Sequence, residues 1–320
     1  MRTSICGIIG LAFAVLAACS PPQPRPSPEL AWAYPAGKDS AFPPHLTGPQ
    51  QATGSAITLT PEQVGANPPD WFPADHPPAP PSVAQERKGA ATACAECHMI
   101  DGQGFPGSTD LAGFPAAYIV EQVHEFKSGQ RRSAEAERPD TMEMVKVAET
   151  VSEADLAAAA AYYASLPRRT PIRVVETDLV PRTWPDRYGW LNRVDGGGDE
   201  PIAGRIIEVA ADTHRLLISD PGERVTDYAP TGSIARGAAL VRVGGPGGQP
   251  CVRCHGGDLR GQGAVPPLAG RGAAYLARML WDIHTGARKG PTVDQMQAVT
   301  RELTPGEITD ITAYIASLKP

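Results

Sequence analysis

Apolar positions are distributed along this chain in three ways. At the N-terminus they are continuous. Ile5 to Ala18 forms a run of about 14 apolar or small residues behind a positive charge at Arg2, which suits an export signal and is too short for a membrane span. From Pro21 to Pro81 they are sparse and interrupted by proline pairs at 43–44, 68–69, 77–78 and 80–81, which predicts an extended, semi-rigid tether. Beyond that they recur at helical spacing. Between Pro115 and Phe126, Tyr118, Ile119, Val123 and Phe126 share one face, and Tyr275, Leu276, Met279, Leu280 and Ile283 repeat the arrangement. Further helices are predicted to start at Ser152-Glu153-Ala154-Asp155 and Thr304-Pro305-Gly306-Glu307, where a hydroxyl stands three positions before an acidic side chain and can cap the first turn.

The two helical stretches are copies of each other. Adding 157 carries Gly104 to Gly261, Leu111-Ala112-Gly113 to Leu268-Ala269-Gly270, Tyr118 to Tyr275, Gly129 to Gly286 and Arg131 to Arg288, without a gap. After five extra residues in the first copy the offset becomes 152 and pairs Tyr162 with Tyr314 and Ala164-Ser165-Leu166 with Ala316-Ser317-Leu318. A register held this long predicts two copies of one small domain. The organisation read from the chain is a signal segment 1–18, a Pro-rich tether 19–82, a first domain 83–168, an inter-domain segment 169–232 and a second domain 233–320. In the unrepeated inter-domain segment, Arg205 to Val209 and Arg215 to Ser219 predict the two strands of a β-hairpin. Gly196-Gly197-Gly198 is a turn and not a phosphate loop, because no Lys-Ser/Thr or helix follows.

Composition sharpens this picture. The chain holds 33 Gly and 34 Pro in 320 residues, while aromatic residues make up 6%. Two small domains with so few large side chains need something else to fill their cores. The net charge of −6 argues against a nucleic-acid binder, which would need a basic face.

The cysteines indicate what fills the cores. Cys6 and Cys19 belong to the N-terminal signal, and the other four form Cys94-Ala95-Glu96-Cys97-His98 and Cys251-Val252-Arg253-Cys254-His255. Both are C-x-x-C-H, the attachment signature of c-type haem. Two intervening residues let both thiols reach the vinyl groups of one porphyrin from a single helical turn, with the adjacent histidine under the iron. A redox disulfide would not require the histidines, and a zinc site would need cysteines that are already used. Two covalently bound haem c groups are therefore expected, and the repeat selects their sixth ligands. Offset 152 sends Met144 to Met296 but Met142 to Asp294, and neither His124 nor His284 has a histidine equivalent. Met99 follows the proximal histidine too closely, and Met279 lies on a helix where packing is the default role. His98 with Met144 and His255 with Met296 are the expected iron ligands. Such pairs raise the reduction potential relative to two imidazoles, as suits an electron carrier.

These residues resemble class I c-type cytochromes, and the tandem arrangement is similar to the dihaem two-domain cytochromes of bacterial respiratory chains. The resemblance covers roughly 83–167 and 233–320. It implies a mainly α fold of two cytochrome c-like domains, thioether bonds to Cys94, Cys97, Cys251 and Cys254, proximal His98 and His255, and distal Met144 and Met296. It also implies that a proline before Leu-Ala-Gly offers its carbonyl to the proximal histidine; Pro266 fits, while the first copy has Thr109 there. Leu16-Ala17-Ala18-Cys19 resembles a lipoprotein lipobox, which makes Cys19 the lipid-anchor site. It places the protein on the periplasmic side of a bacterial membrane, with Ser20 pointing to the outer membrane; a soluble periplasmic form is the alternative.

The function expected is single-electron transfer between a donor dehydrogenase or quinol complex and an acceptor oxidase or cytochrome, without substrate chemistry of its own. The alternatives are a cytochrome subunit of a membrane dehydrogenase and a dihaem peroxidase or sulfur-compound dehydrogenase. No Ser/His/Asp set or paired-carboxylate arrangement stands out. His45 and His76 are expected to be tether histidines. Trp71-Phe72 is expected to dock on the first domain, and Trp184, Tyr188 and Trp190 against a haem edge or the domain interface.

Overall fold

The computed structural model describes residues 28–37, 45–85, 92–106, 108–169, 172–186, 189–245, 248–291 and 293–320, so the apolar run 5–18, Cys19 and Tyr188 lie outside the described residues. A short 3₁₀ turn, Pro28–Ala33, precedes α1 (Pro61–Ala66) and α2 (Pro81–Ala84). The first copy contributes α3 (Ala95–His98), α4 (Ala116–Ser128), α5 (Pro139–Thr150) and α6 (Glu153–Ser165). The inter-domain segment contributes β1 (Ile172–Glu176), β2 (Leu179–Pro181), β3 (Thr183–Pro185), β4 (Leu191–Arg193), β5 (Asp199–Pro201), β6 (Ile207–Ala210), α7 (Thr213–Leu217) and β7 (Val225–Ala229). The second copy contributes α8 (Ser233–Val243), α9 (Val252–His255), α10 (Ala273–His284), α11 (Asp294–Thr300) and α12 (Pro305–Ser317).

Both expected caps form. Ser152 Oγ accepts from Asp155 N at 3.1 Å, and Thr304 and Glu307 complete a reciprocal capping box. In the second copy α8 lies tightly on α12. A Cβ at Gly237 would sit 2.0 Å from the Asp310 carbonyl oxygen, so glycine permits the contact, and Arg236 clasps Asp310 through two bonds of 2.7 and 2.8 Å.

The inter-domain segment is more than the expected hairpin. β6 and β7 do pair antiparallel, but within a five-stranded sheet of order β1-β7-β6-β4-β3, beside a separate β2–β5 pair. The second strand of the hairpin is Val225–Ala229, whereas Arg215 to Ser219, expected to be strand, falls largely in α7. Asp212 explains the difference: its carboxylate caps the backbone N–H groups of His214 and Arg215 at 2.9 and 3.2 Å, so the chain turns helical. The true strand was masked by a charge, since its inward positions are Val225, Asp227 and Ala229.

Asp227 stands directly opposite Glu208 across the β6–β7 ladder, and the two are 0% and 8% exposed. Burial, followed by the Glu208 charge, holds the Asp227 carboxyl well above its usual range. A carboxyl that keeps its proton only when folded stabilises least at high pH. Stability should therefore fall as pH rises from the unfolded carboxyl value of about 4 toward the raised folded value, by up to roughly 1.4 kcal/mol per pH unit. Asp101, Glu223 and Asp282, also raised by burial, add the same sign. Asp227→Asn keeps an acceptor for Ala273 N–H, and should flatten the decline between denaturation midpoints measured at pH 5 and pH 8; an unchanged decline would rule out a proton held by Asp227 in the folded state.

The described part of the Pro-rich stretch is not a free tether. Leu30, Ala33 and Tyr34 are buried in the core of the second copy, where Tyr34 OH donates to Asp282 at 2.8 Å and Arg278 donates to the Ala33 carbonyl at 2.7 Å. The few apolar residues between the prolines sit where they can be buried, which composition alone concealed. Trp71 joins a cluster with Ala52 and Ile218 and donates its indole N–H to the Ile218 carbonyl at 2.7 Å, so it docks on the inter-domain segment beside the first copy. His76 is held by Asp70 and Tyr162, and His45 is exposed.

Candidate functional site

The two C-x-x-C-H turns are built alike. α3 and α9 are single helical turns, each entered from an αR cysteine, Cys94 or Cys251. The residue after each histidine leaves with positive φ: Met99 at 58° and Gly256 at 89°. Three residues further on the roles exchange, with Gly102 at 74° and Leu259 at 60°. Both copies thus trace one left-handed path, and each accepts the strain on a different side chain. The path closes through the Gly104 N–H to His98 carbonyl bond (3.0 Å) and its equivalent from Gly261 to His255 (2.8 Å).

Each imidazole is aimed by its own copy. The Nδ1 of His98 lies 2.9 Å from the Thr109 carbonyl oxygen, and that of His255 lies 2.9 Å from the Pro266 carbonyl oxygen. Donating Nδ1–H leaves Nε2 with a lone pair for a metal. The missing proline at 109 therefore does not cost the first site its carbonyl. Burial lowers the proton affinity of both histidines, which keeps the rings neutral and able to ligate. Cys94 and Cys251 are half-buried, while Cys97 and Cys254 have more of their surface exposed, although burial still pushes the Cys97 thiol up. Among the described residues no three His, Cys, Asp or Glu side chains converge as a metal cage.

A cavity open to solvent, of about 1120 Å³ with its mouth included, adjoins the first motif. Cys94, Cys97, His98 and Met144 all line it, together with apolar Phe114, Ile119, Val123 and Phe126. Met142 is instead 48% exposed, Met99 packs with Phe105 and Leu216, and His124 is paired with Glu153 at the surface. Met296 lies half-buried on α11, the counterpart of the Met144 helix. His284 stacks on Trp281 with ring centroids 4.5 Å apart and hydrogen-bonds the Thr300 carbonyl.

The sequence did not reveal that this cavity is completed by the other copy: Tyr275, Arg278, Met279 and Asp282 also line it. The copies meet about a pseudo-two-fold axis at Arg131 and Arg288, whose backbones form an antiparallel bridge flanked by Arg132 N–H to Ala287 O (3.0 Å) and Lys289 N–H to Gln130 O (2.8 Å). The side chains cross. Arg131 reaches Tyr275 OH (3.5 Å) and Met279 Sδ (3.2 Å), and Arg288 reaches Tyr118 OH (3.4 Å) and Gln122 Oε1 (2.7 Å). The signal for this contact was present in the repeat, as polar residues matched at 118/275 and 131/288 where packing alone requires none. Trp190 stacks on Phe105 at 4.9 Å, joining the sheet to the first motif's loop, and Trp184 is half-buried in β3.

The site fits haem c. Arg131, which lines the cavity, is only 7% exposed, yet its Nε, like Gln122 Nε2, has no hydrogen-bond partner among the described residues, whereas Arg288 Nε is ion-paired with Glu125 at 3.7 Å. A buried guanidinium lacking full compensation is costly, and the two carboxylate-bearing arms of a porphyrin are partners of the missing kind.

The cytochrome c family model matches residues 87–167 and 234–319, over half of the chain. The chain belongs to the cytochrome c family. As a cytochrome c with two C-x-x-C-H motifs it binds two haem c groups covalently, within a mainly helical pair of tandem domains. It is 26% identical over 236 residues to a cytochrome c4 of Azotobacter vinelandii, covering 72% of this chain and 87% of that one. It is also 26% identical over 232 residues to a thiosulfate dehydrogenase electron acceptor of Stutzerimonas stutzeri, covering 72% and 80%. Among solved structures, the thiosulfate dehydrogenase TsdBA of Marichromatium purpuratum aligns with a TM-score of 0.49 at 29% identity, over 72% of this cytochrome but only 37% of the TsdBA chain.

Proposed function

We propose that this dihaem cytochrome c is a one-electron carrier, relaying electrons between a donor dehydrogenase or quinol complex and an acceptor oxidase or cytochrome. Each haem c supplies reversible uptake and release of one electron. The chain's residues do the rest: Cys94, Cys97, Cys251 and Cys254 fix the rings, the Thr109 and Pro266 carbonyls orient His98 and His255, and Met144 and Met296 complete the coordination. The observation that carries this reading is the first cavity, which both copies line, so that the second unit adjoins the first haem directly. Burial of the site limits the reorganisation that accompanies a change of charge.

The relatives named as thiosulfate dehydrogenase electron acceptors favour a sulfur-compound dehydrogenase as the donor. Cys19 is the proposed lipid anchor, on the periplasmic side of a bacterial membrane. A reductive titration should consume two electrons per chain, and the protein alone should turn over neither peroxide nor thiosulfate. Rapid turnover of either by the isolated protein would overturn the carrier reading and favour the enzymatic one.

A further inference from the structure

The two copies differ in charge although their backbones repeat. Residues 83–168 carry thirteen acidic and eight basic side chains, whereas residues 233–320 carry six acidic and ten basic. The difference reaches the motifs themselves, since the residue before the exposed cysteine is Glu96 in one copy and Arg253 in the other. Asp140 and Glu143 line the first cavity beside Cys97, partly offset by Arg138 at 2.7 Å and Lys146 at 3.1 Å. At the second motif Arg242, Arg253 and Arg260 are exposed, with Asp258 facing Arg260 at 3.8 Å. The end of α8 lies against this motif through the Cys251 N–H to Val241 carbonyl bond of 3.0 Å, and Val243, two residues beyond, is 73% exposed.

An exposed apolar residue and an exposed ring-bearing cysteine within a basic margin form a small contact area of defined sign. We infer that the rim of the second haem, around Cys254, Val243, Arg242 and Arg253, is the docking face for an acidic redox protein, which the carboxylates around Cys97 turn away from the first haem. The inference rests on the carrier reading and adds which end serves which partner. Opposite potentials at the two rims steer charged partners to one end and raise encounter rates by tenfold or more at low salt.

The test uses the full dihaem protein in its reduced form, oxidised under stopped flow by an anion, hexacyanoferrate(III), or a cation, tris(phenanthroline)cobalt(III). Poly-L-glutamate serves as an acidic macromolecular competitor. The paired variant Arg242→Glu/Arg253→Glu should retain two haems per chain with unchanged spectra. At about 10 mM salt, where the screening length is roughly 30 Å, it should react about tenfold more slowly with the anion, and the difference should vanish near 1 M. The cation should react no more slowly, and inhibition by poly-L-glutamate should be lost. Arg182→Glu/Lys319→Glu, with the same net charge on other exposed positions, should change the anion rate less than twofold. Equal slowing by both pairs, or inhibition by poly-L-glutamate surviving in the rim variant, would overturn the docking face. Failure of either haem to exchange electrons with either oxidant would instead overturn the carrier reading beneath it.

Discussion

Made without covalent haem, the chain should fail to fold its first helical unit, losing most of its helical circular dichroism and its cooperative thermal transition. The apolar side chains of that unit do not form one core. Ile100, Phe114, Ile119, Tyr163 and Leu166 make one cluster, and Val123, Phe126, Ala148 and Leu156 a second, smaller one. The cavity beside the first motif adjoins both. Emptied of a porphyrin, its walls would lose their contact partners on one side, far beyond the few kcal/mol that a single core truncation costs. Net domain stability is itself only about 5–15 kcal/mol, so the loss is decisive. Cys94→Ala/Cys97→Ala should reproduce the effect locally, with one haem left per chain and rapid proteolysis between residues 95 and 166. A haem-free chain melting cooperatively within a few degrees of the mature protein would refute the argument.

Replacing Met144 by histidine should lower one of the two reduction potentials by on the order of 0.1 V or more, within the roughly 0.8 V span that axial ligands cover. The methionine-to-iron charge-transfer band of that haem should disappear. Met296→His should do the same to the other haem. The informative controls are Met142→His, at a largely exposed position, and Met279→His, because Met279 also lines the first cavity. A fall in potential with Met279→His and none with Met144→His would transfer the ligand role across the interface. Spectroelectrochemical titration of the four variants distinguishes these outcomes.

Much of the site was legible because it is local. The C-x-x-C-H spacing places thiols and imidazole on one helical turn, and the offset of 152 singles out Met144, which lies on the cavity wall beside them. The helix starts were legible for the same reason, since Ser152 and Thr304 act within three residues. Contacts between distant segments were not. Arg131 reads as one residue of a loop, and apart from its match to Arg288 in the repeat no local feature indicates that it crosses to Tyr275 in the other copy. The inter-domain sheet was missed where its pattern broke: a buried Asp227 disguised the inner face of β7, and the Asp212 cap drew an apolar stretch into α7. Leu30 and Tyr34 were hidden by the surrounding prolines, although their burial depends only on finding a distant apolar surface.

That last contact sets an order of events during synthesis. Tyr34 and Asp282 are separated by 248 positions, so residues made near the start must wait for α10 before they have anywhere to pack. The first motif emerges, and can acquire its haem, while this early segment is still unplaced. Closing so long a loop is entropically unfavourable until the late helices reward it. The oldest part of the chain is therefore among the last to settle, and its docking can serve as a sign that both halves are complete.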